Sequence, residues 1–298
     1  MRRFKGLYTA LAAGLIAVCA APAMAQADDA AEQDAAGISA PSWIMVDNPS
    51  GKVIAQHNAE ERLKVGGFPK LMTALLVAQL AAEDPKLLDQ TIEIQAYMTK
   101  IQVTKSGALG GERMTVRDAL YATLVGAASD TALALSRTFN NRFAESNFRQ
   151  LEKVPAHSRS FIAEMNRAAR KLGMKDSVFR SAYIDAGENG RASTAHDLAR
   201  LGIAVMADPI LREIVGAKSY SATIIGTDGT TRSKSWNNGN RLLGPDIGGV
   251  ATTGTPSSGQ SIILATSKGG SNRIIVVLGS ETSSQRFADA KAIAALAN

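Results

Sequence analysis

The chain has 298 residues, 45% of them apolar, and a formal net charge of +6; that is ample for one large cored domain. Three of the cations, Arg2, Arg3 and Lys5, lie in a first segment of 25 residues that holds no acid, so the remainder carries only +3, too little to point to nucleic acid. The only cysteine, Cys19, lies in the same segment, which removes disulfides, thiolate nucleophiles and cysteine metal sites from everything after it.

The basic start is followed by the apolar run 11–21 and then Ala23-Met24-Ala25, the order of a secretory signal peptide with a small-x-small cleavage site. The run is shorter than the roughly 20 residues a permanent span needs, so residues 1–25 are expected to be removed and the protein to be periplasmic. Val18 is a poor neighbour for lipidation of Cys19. Residues 26–40 are small, acidic and aperiodic and read as a flexible lead-in, with structure starting near Pro41.

Residues 42–47 and 52–56 are β-prone runs around Asn48-Pro49-Ser50-Gly51, which predicts a hairpin. Leu71, Leu75, Val77, Ala78 and Ala81 predict a buried helix over 69–84, with Pro69 in the first turn and Pro85 as its stop. Further helices are expected over 116–137, over 160–172 before the cap Gly173, and from Ser193 or Thr194 with Asp197 in the first turn. Residues 261–265 and 273–278 read as apolar strands and a closing helix starts near Ser284. Strands at both ends with helices between predict an α+β domain over 41–298 whose antiparallel sheet gathers N- and C-terminal strands beside a helical subdomain.

Residues 44–76, IMVDNPSGKVIAQHNAEERLKVGGFPKLMTALL, followed in order by FIAEMNRAARKLGMKDSVF, STAHDLA and NGNRLLGPDIGGVATTGT, resemble the low-molecular-mass penicillin-binding proteins, the D-alanyl-D-alanine carboxypeptidases of peptidase family S11. The resemblance covers about 250 residues and implies a β-lactamase/transpeptidase-like fold, no cofactor, and acyl transfer on peptidoglycan stem peptides through the motifs S-x-x-K, S-x-N and K-T-G. It ends at the helix that closes the family's catalytic domain, so neither a C-terminal β domain nor an amphipathic membrane anchor is expected. Residues 142–158 look longer than the family has there and read as a solvated insertion or a partner-binding surface.

The three motifs are altered. The first reads Gly67-Phe68-Pro69-Lys70, keeping the lysine that would take a proton one turn away but not the serine that would attack. The second reads Ala127-Ala128-Ser129, with only Ser129 able to hydrogen-bond. The third reads Thr252-Thr253-Gly254, followed by Thr255 and, five after Gly254, Gly259; the cation is gone. The threonines are strand filler or the edge to which a peptide adds, and Lys70 is either an inherited lysine held by Ser129 and carbonyls or an anchor for a ligand carboxylate. His57, His157 and His196 have no metal-ligand spacing, and the glycine pairs form no nucleotide-binding motif.

The sequence thus supports a non-acylating relative that binds cell-wall peptides or a cell-wall protein. Two alternatives stand beside it: an active carboxypeptidase or endopeptidase with a displaced nucleophile such as Ser129, and a structural or regulatory interaction protein.

Overall fold

A computed structural model describes residues 37–145, 151–184, 192–267 and 270–296; the signal-peptide reading of 1–25 and most of the lead-in lie outside these. Ser39, just before Pro41, already donates from its backbone N to Asp289 Oδ1 at 2.9 Å.

In chain order the elements are β1 (Ser42–Asp47), β2 (Val53–His57), α1 (Pro69–Glu83), β3 (Thr91–Glu93), β4 (Arg113–Thr115), α2 (Val116–Leu124), α3 (Ser129–Thr138), α4 (Ala156–Lys171), α5 (Ala195–Ala207), α6 (Pro209–Gly216), β5 (Ser219–Ile225), β6 (Thr231–Asn237), β7 (Ile247–Thr255), β8 (Gly259–Thr266), β9 (Arg273–Ser280) and α7 (Ser283–Ala295). The main sheet runs β2-β1-β9-β8-β7, all antiparallel, so the first and last strands of the chain share one sheet with β7 at its edge. This is the α+β arrangement the strand distribution predicts. A second, four-stranded sheet, β3-β4-β5-β6, is not anticipated, because two of its strands have three residues and β5 and β6 carry an exposed serine- and threonine-rich face.

The sheet is covered on both faces. Ile44, Val46, Ile263, Ile274 and Val276 pack toward α1, α2 and α5 in the larger core, while Trp43, Met45, Leu264 and Ile275 meet Phe287, Ala290 and Ile293 of α7 on the other side. Helix α1 is apolar almost all round and sits in the middle of the helical body, as an unbroken run of buried side chains from Leu71 to Ala78 requires. Thr115, Thr194 and Thr282 cap α2, α5 and α7 through their hydroxyls, and Asp197 lies in the first turn of α5.

Three expectations change. The single helix over 116–137 is two helices, α2 and α3, broken at Val125 to Ala128: Ala127 takes φ 52° and Ser129 N turns away to donate to Thr104 O at 2.8 Å. Gly126 lies within the break, where a Cβ would stand 2.7 Å from Ala122 O and 2.8 Å from the Trp236 ring, so the close approach leaves room for glycine alone. The helix expected from 160 starts at Ala156, after Pro155. Residues 146–150 of the supposed insertion lie outside the described residues, but the flank that follows is packed, with Leu151 and Val154 buried, which contradicts a wholly solvated segment.

Candidate functional site

The first turn of α1 presents Lys70 because Pro69 sits at the helix start, where its missing N–H is no loss. Phe68 precedes it and is buried in the larger core. Gly66 holds φ 52°, and the chain reaches Gly67 with its backbone N–H directed at Thr253 Oγ1 on β7, 2.7 Å away. A Cβ at Gly67 would lie 2.9 Å from Lys70 Nζ and 3.0 Å from Thr253 Oγ1. The place of a serine side chain is thus enclosed by an amine and a hydroxyl.

Lys70 Nζ donates to Ser129 Oγ at 3.3 Å. The residue keeps a partly exposed edge while its amine is enclosed, and that burial lowers its pKa to about 8, with Asp130 pulling weakly the other way. Asp130 is fully buried and accepts from Ser106 N at 2.8 Å, Ser106 Oγ at 2.7 Å and Thr131 N at 3.0 Å. It ties the 104–108 segment to the start of α3 and so fixes Ser129. Asp130→Asn keeps one acceptor but loses the charge-assisted bonds, and should lower unfolding stability by about 2 kcal/mol in urea titrations; an unchanged midpoint would remove Asp130 from this role.

Strand β7 supplies the third wall, with side chains that alternate between its faces. Thr253 meets Gly66 and Gly67, whereas Thr252 points to the other side, where its Oγ1 would lie 2.7 Å from a Cβ on Gly239. Gly254 has no room for a side chain, since a Cβ would stand 2.2 Å from Gln260 Oε1. Thr255 Oγ1 bonds Ser258 Oγ at 2.7 Å and accepts from Ser258 N at 3.1 Å, inside the turn to β8. Of the residues singled out in the sequence, Gly67, Lys70, Ser129 and Thr253 therefore converge. Thr252 does not stand opposite Lys70, and Thr255 serves its own turn.

Three residues at the site were not read from the sequence. Asp130 and Ser106 carry no motif. Ala251 shares the Thr253 face by alternation along β7. The histidines are elsewhere, His196 Nδ1 paired with the Glu60 carboxylate, His57 stacked on Trp43, and His157 beside Tyr97. Among the described residues no group of three His, Cys, Asp or Glu is placed to hold a metal, and no helix is long and apolar enough to cross a membrane.

A lysine in the first turn of a buried helix, a residue at the head of a second helix bonded to it, and an edge strand closing the third side form the frame of the DD-peptidases. Comparison agrees: the Streptomyces K15 DD-transpeptidase superposes with a TM-score of 0.76 at 28% identity, over 87% of this chain and 96% of that one. A D-alanyl-D-alanine carboxypeptidase from Francisella tularensis, DacD, has a TM-score of 0.73 at 20% identity and shares the fold. In sequence, D-alanyl-D-alanine carboxypeptidase DacC of Escherichia coli is 30% identical over 271 residues, 87% of this chain, which spans only 61% of that relative's length. The Streptomyces K15 carboxypeptidase is 28% identical over 86% of each chain. The sequence profile of the S11 D-alanyl-D-alanine carboxypeptidases matches residues 28–282, and the chain belongs to that family.

Proposed function

We propose that this protein is a non-acylating member of its family, exported to the periplasm, which holds peptidoglycan stem peptides or a cell-wall protein against β7 without cleaving them. The observation that carries the reading is the contact between Gly67 N and Thr253 Oγ1 at 2.7 Å. Gly67 has no nucleophile, and the backbone amide that would steady an oxyanion beside it already donates to a hydroxyl. Loss of a nucleophile costs about a million-fold in rate, roughly 8 kcal/mol of barrier, and loss of one oxyanion donor a further 10² to 10³ or so.

We also place the third motif one residue earlier than the sequence reading does, on Ala251-Thr252-Thr253. The residue beside the nucleophile must lack a side chain to leave a serine room, and Thr253 stands there; the cation's place, two back on the same face, is Ala251. β7 is the outermost strand of its sheet, the position to which an added peptide strand pairs.

The test is labelling with a fluorescent penicillin, which traps an acyl-serine. The expected result is no covalent band after denaturation; a band mapped to a serine or threonine of this cleft would overturn the reading. The displaced-nucleophile alternative rests on the Lys70 to Ser129 bond, but Ser129 is 1% exposed and out of a substrate's reach. D-alanine release from a stem peptide by the wild type, lost in Ser129→Ala, would establish that alternative.

A further inference from the structure

The non-acylating reading leaves one nucleophile of the cleft without a task, the amine of Lys70. Pro69 and Leu71 on either side of it are buried while Lys70 is partly exposed, so the part of this residue that solvent reaches is its side chain. The end of that side chain lies between Gly67, Ser129 and Thr253. Gly67 has only hydrogens to turn toward it, and a carbon built there would stand 2.9 Å from Nζ.

The amine bonds Ser129 Oγ at 3.3 Å and, among the described residues, makes no ion pair. Asp130 is the charge that acts on it, and both oxygens of that carboxylate are taken by Ser106 and Thr131. Burial lowers the Lys70 pKa to about 8, so about a tenth of the amine is neutral at pH 7, against roughly 0.04% of an ordinary lysine near 10.4. A desolvated lysine without an ion-pair partner is an activated nitrogen nucleophile. With one N–H held by Ser129, the neutral form keeps a lone pair and a second proton for the cleft.

The surroundings choose between two classes of electrophile. An ester or amide passes through a tetrahedral oxyanion, and Gly67 N, the donor beside it, is held by Thr253 Oγ1 at 2.7 Å. An aldehyde needs no such donor, because its adduct with a neutral amine becomes a neutral carbinolamine when one proton shifts from nitrogen to oxygen.

We propose that Lys70 Nζ is a nucleophile toward small aldehydes and holds them as a Schiff base beside Gly67, on the side where that residue has no side chain. The nitrogen lone pair bonds the carbonyl carbon, the C=O pair moves to oxygen, and one N–H proton follows it. The hydroxyl then leaves with the remaining N–H proton as water while the nitrogen pair forms C=N, so amine and aldehyde give imine and water. The inference depends on the missing side chain at Gly67 and not on what the cleft binds.

The test is treatment of the full chain with acetaldehyde and cyanoborohydride at pH 7, which fixes each imine as an ethylamine, followed by peptide mass spectrometry. Lys70 should be modified about tenfold or more faster than the exposed Lys52: its larger neutral fraction favours it by about two-hundredfold, and the weaker nucleophilicity of a less basic group opposes this by about tenfold. In urea-unfolded protein the two lysines should react alike; a preference that survives unfolding would overturn the proposal. Gly67→Ala sets a carbon against Nζ and should slow Lys70 by about tenfold with Lys52 unchanged, and a thermal melt establishes that the variant is folded. Lys70 reacting no faster than Lys52 in the wild type, or equally fast in folded Gly67→Ala, would overturn the proposal. Either failure leaves the non-acylating reading standing, since penicillin labelling decides that one and it asks nothing of the amine's reactivity.

Discussion

Gly67→Ser alone should leave penicillin acylation near background, while Gly67→Ser with Ala251→Lys and Thr253→Gly should raise it by about a thousandfold or more. The single variant restores a hydroxyl into a space that is already taken: the new Cβ would stand 2.9 Å from Lys70 Nζ and 3.0 Å from Thr253 Oγ1, distances that force a neighbour to shift. Thr253 Oγ1 would still hold the Gly67 amide, so a developing oxyanion would lack that donor. Removing the threonine side chain opens both the space and the amide, and a lysine at 251 returns a cation on the same face of the strand. Acylation rates for the single, double and triple variants, measured by penicillin labelling and mapped by mass spectrometry, give the answer. Strong labelling of the single variant would show that Thr253 does not obstruct the site; no gain in a folded triple variant would show that Ala127 and Ser129 matter more.

The frame of this protein is legible in its sequence because burial and punctuation write it there. The unbroken apolar face of α1, Thr194 at the start of α5, and the apolar runs of β8 and β9 each follow from local rules, and all agree with one α+β topology. What escapes is decided by contacts between distant segments. The helix that composition reads as continuous is split where Ala127 takes a positive φ and Ser129 N bonds the distant Thr104 O. The short strands β3 and β4 exist through their neighbours, not through pattern.

The candidate site divides in the same way. The resemblance to the family is what marks Gly67 as a missing serine and Lys70 as a retained lysine. The direction of Thr253 is not marked in this way, because a slip of one residue in reading β7 exchanges its two faces: it sets Thr252 opposite the lysine when the structure sets Thr253 there. That difference matters chemically. A threonine pointing away from the site is a bystander, whereas one bonded to the Gly67 amide takes up a donor the chemistry would use.

Lys70→Met should make the protein more stable near pH 7, by about 1 to 3 kcal/mol, where the same change in a working relative would be expected to abolish its chemistry. The enclosed amine has its pKa lowered from 10.5 to about 8, mainly by burial, so the folded state disfavours the charged form that prevails at neutral pH. Below about pH 8 the lysine is protonated in both states and the whole penalty is present. Between about pH 8 and 10.5 the folded protein sheds the proton while the unfolded chain keeps it; the unfolded state then binds more protons, and wild-type stability rises with pH. The advantage of the methionine variant should therefore shrink across that window and level off above it. Urea unfolding of both proteins at several pH values from 6 to about 10.5 would show this. A methionine variant that is less stable at pH 7, with a pH-independent difference, would mean that the bonds to Ser129 and the attraction of Asp130 outweigh burial, and that Lys70 is kept as a structural member of the cleft.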